Sequence, residues 1–289
     1  MNSAKNLIDT GSGFLESGKY KEAVSYFTRA LETDPYNSKA YELRGVANYF
    51  LLNTDQALSD LTQAISLDQQ NDTALLARGS IFRDKQDYGN AINDFSRTVQ
   101  INPDNIQYRL NLCNAYLATK NIEKAIELAD GVLMDDPINY YALYYKASAL
   151  VELKHYVDAF ALYKKILRNH DPTSDIYNSM GFCQIYTREF EKAKNNFSLA
   201  IDLNMEYAYP WNNLGYVYYL QEDFSKALEF INHSIDLDPS NSWAFKNRGI
   251  VYLAIGERDK ALSDLTHARD LGYTDQYDNE VDYLLKNHF

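Results

Sequence analysis

Glycine, proline and cysteine are scarce in this sequence of 289 residues. It has 12 glycines and 6 prolines, too few for the many tight turns that a β-sandwich or β-barrel of this length needs. The two cysteines, Cys113 and Cys183, lie far apart, outside any CxxC motif and away from paired histidines. They therefore predict neither a zinc site nor a disulfide framework, and they favour a reducing, cytoplasmic location.

Long apolar runs are also missing. The longest, from Val46 to Leu52, is interrupted by Asn48, whereas a membrane helix needs about 20 predominantly apolar residues. The N-terminus has no basic patch followed by an apolar stretch, so we expect no signal peptide in this chain, although a leader already removed from it stays open. The sequence predicts no contact with a membrane.

Basic residues are outnumbered. There are 28 lysines and arginines against 40 aspartates and glutamates, which gives a formal net charge of -12. This charge is opposite in sign to the one that neutralises phosphates. Nucleic acids and anionic membranes are therefore excluded as expected partners.

What the sequence does contain is a spacing of 34 residues. Small residues and prolines recur at this interval or at multiples of it, which is the signature of a repeat architecture. The positions are Ala23, Ala57, Ala91, Ala125, Ala159, Ala193, Ala227 and Ala261, then Gly11, Gly45, Gly79, Gly181, Gly215 and Gly249, and finally Pro35, Pro103, Pro137 and Pro239.

Each repeat has two stripes of apolar and small residues at helical spacing, with a short turn between them. We therefore predict hairpins of two helices, whose glycines and alanines let the paired backbones approach closely. One hairpin cannot bury both stripes, so neighbouring hairpins must stack. The predicted repeats of this single domain, 1–289, are 4–37, 38–71, 72–105, 106–139, 140–173, 174–207, 208–241 and 242–275, followed by a capping helix, 276–289.

The pattern resembles the tetratricopeptide repeat family. In the seventh repeat the resemblance lies in Trp211, Gly215, Tyr218, Ala227 and Pro239. It implies an all-α fold: a right-handed α-solenoid, or superhelix, of eight helix-turn-helix units with a C-terminal capping helix. In that last helix we expect Thr274 or Asp275 as N-cap, and a side that covers the last hairpin, formed by Tyr277, Val281, Leu284 and Leu285.

No constellation of catalytic or metal-binding residues is present. The five histidines form no HExxH motif and no ligand pair on one helical face, and Gly11-Ser12-Gly13 follows no predicted strand. The carboxylates are spread along solvated helix faces. We therefore assign no catalytic, cofactor-binding or metal-binding residue, expect no cofactor, and predict that the protein is not an enzyme.

The first helix of each repeat has a second stripe, which by the family resemblance lines the concave groove where ligands usually lie. From the fourth repeat onward this stripe consists of amides and aromatic rings. Asparagine can bind a peptide group as donor and acceptor, and rings add contact area. The predicted partner-binding residues are Asn111, Asn114, Tyr141, Tyr144, Tyr145, Asn178, Phe182, Asn212, Asn213, Tyr216, Tyr219, Trp243, Lys246 and Asn247.

A structural role for this stripe stays open, since rings can span the gap to the next hairpin and Asn213 or Asn247 can satisfy helix ends. The sequence predicts a scaffold or adaptor that binds a partner protein, or an extended peptide segment of it, in the groove. Two alternatives remain: an acidic inhibitor or immunity-type protein that neutralises a basic toxin or nuclease, and a structural array that self-associates through its terminal repeats.

Overall fold

The computed structural model describes residues 3–276 and 279–289, and within this part it contains eighteen helices and no strand. The helices are α1 Ala4–Glu16, α2 Tyr20–Thr33, α3 Ser38–Phe50, α4 Thr54–Leu67, α5 Asp72–Asp84, α6 Tyr88–Ile101, α7 Ile106–Ala118, α8 Ile122–Asp135, α9 Tyr140–Glu152, α10 Tyr156–Asn169, α11 Ser174–Tyr186, α12 Phe190–Leu203, α13 Ala208–Leu220, α14 Phe224–Leu237, α15 Ser242–Ala254, α16 Arg258–Asp270, α17 Tyr273–Gln276 and α18 Glu280–His288.

The chain divides into two compact units, unit 1 with residues 1–149 and unit 2 with residues 150–289. Within each unit the helices pair as antiparallel hairpins, and each hairpin also packs on the next. The predicted all-α fold of helix-turn-helix repeats is confirmed. No described helix combines the length and the apolarity that a bilayer span requires.

The small residues of the first helices allow close approach, as predicted. At Gly215 in α13, an added Cβ would lie 2.6 Å from Cγ1 of Ile231 and 2.9 Å from the carbonyl oxygen of Ala227. At Gly79 in α5, it would lie 2.7 Å from the ring of Phe95. These separations are shorter than van der Waals contact, so a larger residue would push the paired helices apart.

Asparagine marks the start of most first helices. The Oδ1 atoms of Asn37, Asn71 and Asn139 accept a backbone N–H three residues further on, at 2.9, 2.8 and 3.1 Å. This N-cap satisfies one of the four backbone donors that the first turn of a helix leaves unpaired. The residue that ends one repeat therefore starts the first helix of the next.

The turn inside each hairpin contains one residue with a left-handed backbone. Glycine occupies it at Gly18 and Gly256, with φ of 73° and 83°, but Leu52 and Gln86 adopt φ of 62° and 59°. A side chain in this region is strained, because Cβ crowds the backbone. The strain is tolerated because the surrounding turn is hydrogen-bonded, as where Asn53 N–H donates to the Asn48 carbonyl at 2.9 Å.

Three arginines tie neighbouring hairpins together. In unit 1, Arg44 donates to both carboxylate oxygens of the buried Asp60, at 2.9 and 2.7 Å, and to Thr28 Oγ1 of the preceding hairpin at 3.3 Å. Arg78 binds Asp94 and Thr62 in the same way, as does Arg248 with Asp264 and Asn232 in unit 2. Each carboxylate is thus buried with a bidentate partner.

The C-terminal segment covers the last hairpin. Val281 of α18 is fully buried against Phe245 and Leu265, and Leu284 and Leu285 pack on the same cluster, so this contact is confirmed. The expected start of the helix is wrong: Thr274 and Asp275 belong to the short α17, and α18 begins after Asn279. Tyr277 lies outside the described residues.

Candidate functional site

Four of the predicted partner-binding residues line one cavity of unit 2. Its volume is about 390 Å³, within the range of pockets that hold small ligands or single side chains. The four residues come from three successive first helices. The complete lining consists of Val151, Glu152, Tyr163, Asn178, Ser179, Phe182, Tyr209, Asn213 and Trp243.

Two amides meet at the wall of this cavity. Asn213 of α13 donates a hydrogen bond from Nδ2 to Oδ1 of Asn178 in α11, over 2.9 Å. Both side chains are half-buried. An asparagine amide has two donor hydrogens and two acceptor lone pairs, so this mutual bond leaves each side chain with further hydrogen-bonding capacity toward a ligand.

The pair belongs to a longer row of amides that crosses three helices. Asn212 donates from Nδ2 to Oδ1 of Asn213 at 3.3 Å, and Asn247 of α15 donates from Nδ2 to Oδ1 of Asn212 at 2.9 Å. The row is buried at one end and reaches the cavity at the other. Each bond orients the next amide, so the row fixes the direction in which Asn178 and Asn213 present their groups.

The buried end of the row corrects the sequence prediction. Asn212 and Asn247 are only 0% and 2% exposed, because α11, α13 and α15 pack side by side at this depth. Oδ1 of Asn247 is buried without a hydrogen-bond partner among the described residues. The expectation that these two amides are available to a partner is wrong, because both are buried. Their described hydrogen bonds instead orient the other amides of the row.

Lys246 is also wrongly predicted as an accessible residue. It is 3% exposed, and its Nζ lies 3.0 Å from Oε2 of Glu280 in α18. Aromatic rings surround the ammonium group, with Nζ at 4.7 Å from the ring centroid of Trp243 and 5.5 Å from that of Tyr216. The C-terminal segment thus covers this cation, and the ion pair and the rings offset the cost of burying it.

Tyr216 and Tyr219 lie beside this ion pair. Their rings are stacked, with centroids 5.8 Å apart. Burial and the nearby Glu280 carboxylate raise the pKa of Tyr216 to about 12, and the same two causes raise the pKa of Tyr219. Because the pKa of each phenol is raised, both stay neutral hydrogen-bonding groups at physiological pH.

The predicted residues of unit 1 lie on α7 and α9. Asn111 and Asn114 are half-buried on α7, and Tyr141 of α9 is 55% exposed. The ring of Tyr144 makes an edge contact with that of Tyr145, with centroids 6.1 Å apart. This group therefore contains accessible amides and phenols.

Tyr145 has a structural role as well. Its ring packs on two buried clusters, one that includes Leu110 and Val132 and one that includes Cys113 and Ala125. Burial is the main reason that the pKa of Tyr145 is raised. For this residue the alternative interpretation, a ring that spans the gap between hairpins, is supported.

Sequence reasoning missed several residues of the cavity. Tyr209 and Val151 occupy the same positions in their repeats as the predicted residues Trp243 and Tyr219, so the spacing could have identified them. Glu152 directly follows Val151, at a position where no other repeat supplied a predicted residue. Tyr163 could not be found in this way, because it lies on α10, a second helix, and is 2% exposed. The repeat pattern alone does not indicate which second-helix side chains reach a groove.

The described part of the chain contains neither a metal site nor an accessible thiol. No group of three or more histidine, cysteine, aspartate or glutamate side chains is placed to hold a metal ion among residues 3–276 and 279–289. Cys113 and Cys183 are free thiols and fully buried, and burial raises the pKa of each to about 12.

Hairpins of two helices that stack through small residues and asparagine-capped turns define a helical-repeat protein. Models of the tetratricopeptide repeat match the sequence at 8–53, 49–106, 82–146, 141–174 and 208–241. The chain belongs to the tetratricopeptide repeat family. Repeats of this family generally mediate interactions between proteins.

Relatives share parts of the sequence. Sperm-associated antigen 1 of Rattus norvegicus is 34% identical over 118 residues, which cover 41% of this chain and 13% of that protein. BBSome complex member BBS4 of Bos taurus is 26% identical over 180 residues, which cover 62% of this chain and 34% of that protein. The chain thus spans about a third or less of the length of these relatives.

Solved structures share the fold. The crystal structure of the APC/C hetero-tetramer Cut9-Hcn1 superposes with a TM-score of 0.67 over 97% of this chain and 55% of that one, at 16% sequence identity. At this level of identity the similarity establishes the repeat fold alone, and function must be argued from the residues of this chain.

Proposed function

We propose that this chain is a non-enzymatic scaffold or adaptor that holds an extended segment of a partner polypeptide at the cavity of unit 2. The observation that carries the proposal is the pair of amides, Asn178 and Asn213, bonded to each other at the wall of a cavity that is otherwise rich in rings. Family membership supports the general role in protein interaction, and the bovine relative is named as a member of a complex.

The chemistry of the pair favours a polypeptide over a small metabolite. A peptide group presents one N–H and one C=O, and an asparagine side chain offers the complementary acceptor and donor. Because such bonds involve the backbone of the ligand, they hold many sequences, while Phe182 and Trp243 add contact area that depends on the ligand's side chains.

We assign further residues of each unit to partner binding. In unit 2 these are the half-buried Tyr216 and Tyr219, and in unit 1, taken by itself, they are Asn111, Asn114 and the phenols of Tyr141 and Tyr144. These residues share the amide and phenol chemistry of the cavity. We place this binding in the cytoplasm, where the free thiols of Cys113 and Cys183 stay reduced.

A selection for peptide ligands tests the proposal. The full chain is immobilised and presented with a display library of random twelve-residue peptides, and the affinity of selected peptides is then measured. We expect the variant with Asn178→Ala and Asn213→Ala to bind them about tenfold or more weakly, the effect of losing one or two hydrogen bonds to the ligand.

The matched control is Asn195→Ala, which removes an exposed amide from α12 on the second-helix side of the same unit. This variant should bind like the wild type. If no peptide is selected, or if the selected peptides bind the double variant as tightly as the wild type, the cavity is not the binding site.

A further inference from the structure

Glu152 gives the cavity of unit 2 its charge. Among the described residues that line it, Glu152 alone carries a formal charge at neutral pH, and its side chain is exposed. It is also the last residue of α9, where the partial negative charge of the helix C-terminus adds to that of the carboxylate. The mouth of the cavity therefore attracts cations.

The other walls suit the stem and the head of a basic side chain. Rings of Phe182, Tyr209 and Trp243 line the cavity, and aromatic faces attract ammonium and guanidinium groups. Lysine and arginine also pack their long apolar stems on such surfaces while the charged head stays near water. A volume of about 390 Å³ leaves room for one such side chain beside the amide pair.

The same chain already holds one cation by this chemistry. The buried Nζ of Lys246 lies against the ring of Trp243, which also lines the cavity, and meets the carboxylate of Glu280. Rings and one carboxylate thus compensate a positive charge inside unit 2. The cavity presents the same two components, rings and the Glu152 carboxylate, to a ligand from outside.

We infer that the segment bound at this cavity carries a lysine or arginine side chain, whose charged group meets Glu152 and whose stem packs on the rings of Phe182 and Tyr209. This inference rests on the proposed function, since Asn178 and Asn213 hold the backbone of the same segment. The net charge of -12 strengthens the preference by attracting basic segments from solution.

Peptide pools with one fixed residue test the inference. Each nine-residue pool has capped ends, random neutral flanks and a central arginine, lysine, citrulline, norleucine or glutamate, and the affinity of the full chain for every pool is measured. Citrulline matters most, because it keeps the shape of arginine without its charge. For the wild type we expect the arginine and lysine pools to bind about tenfold more tightly than the citrulline pool.

Two variants assign this preference to Glu152. Glu152→Gln should reduce it to about threefold or less, and Glu152→Lys should shift it toward the glutamate pool. The matched control is Glu229→Gln, which removes the same charge from an exposed position on α14 and should leave the preference unchanged. Glu152 is exposed, so these variants should keep the helical content of the wild type.

The possible results separate this inference from the proposed function. If the pools bind equally well, or if norleucine or glutamate is preferred, the segment is not selected for a basic residue and only the inference is overturned. The same holds if Glu152→Gln keeps the arginine preference. If no pool binds the wild type, the proposed function and the inference both fail.

Discussion

Asn213 donates a hydrogen bond to Asn178 across neighbouring first helices, from Nδ2 to Oδ1 over 2.9 Å. Behind this pair, Asn212 and Asn247 continue the row into the interior of unit 2. The row therefore has an inner half, Asn212 and Asn247, which orients the other amides, and an outer half, Asn178 and Asn213, which faces the cavity. The two halves should respond differently to mutation.

Loss of an inner amide should destabilise the fold. In Asn212→Ala, the buried Nδ2 of Asn247 loses its acceptor, and an unpaired buried donor costs about 1–3 kcal/mol. In Asn178→Ala, the half-buried Asn213 can bond to water instead, so we expect the free energy of unfolding to fall by only about 0.5 kcal/mol. Urea denaturation followed by circular dichroism measures both. Equal losses for the two variants would contradict the division of the row.

The close approach at Gly215 makes a second prediction. The Cβ of Gly215→Ala would lie 2.9 Å from the Ala227 carbonyl oxygen and 2.6 Å from Ile231, so we expect a net loss of about 1–2 kcal/mol from crowding. Gly13→Ala is the control, because its Cβ meets no atom within 4 Å. It should gain about 0.5–1 kcal/mol from helix propensity. Thermal unfolding should show midpoints shifted in opposite directions.

The bidentate contact between Arg44 and Asp60 predicts that replacing both residues lowers stability less than replacing Arg44 alone. Arg44→Met leaves the Asp60 carboxylate buried, with the amides of Asn48 and Gln56 as its remaining donors among the described residues, and should lower the free energy of unfolding by about 2–4 kcal/mol. Adding Asp60→Leu removes the uncompensated charge and should restore about half of that loss or more. A double-mutant cycle in urea measures the coupling, and strictly additive losses would show that the pair is not coupled.

The buried cysteines predict slow thiol chemistry. Because burial raises the pKa of both thiols from 9 to about 12, the folded chain should react with an aromatic disulfide reagent at pH 8 only after denaturant is added. The raised pKa has a second consequence. Its contribution to stability is present below pH 9 and is lost as pH rises toward 12, since the unfolded thiols ionise first. Rapid reaction of either thiol in the folded state would refute their burial.

The fold was predictable because packing acts on a fixed spacing. A Cβ added at Gly11 would lie 2.6 Å from the ring of Phe27, and Ala23 is fully buried, so only small residues fit at these two positions and their recurrence identifies the helical hairpin. The left-handed turn was less visible, because Leu52 and Gln86 occupy positions where glycine would mark it. The division of the chain into eight repeats of one solenoid stays a prediction.

The sequence predicted which face of each first helix contributes to the site, but it did not predict which residues on that face are buried. Spacing placed Asn178, Phe182, Asn213 and Trp243 on one stripe, and these residues do line the cavity. It could not show that Lys246 on the same stripe is buried, because that depends on Glu280 in the C-terminal segment. The burial of a residue depends on which segment packs over it, and the position of the residue within its repeat does not indicate that segment.

Side-chain amide signals offer the most direct test of the proposed binding site. The NH₂ resonances of Asn178 and Asn213 are assigned by mutation in ¹⁵N-labelled protein, and the chain is titrated with a selected peptide. Both resonances should shift along the same saturation curve as binding, while the signal of Asn195 on α12 stays in place. Saturated binding with both cavity amides unmoved would contradict the assignment of the site.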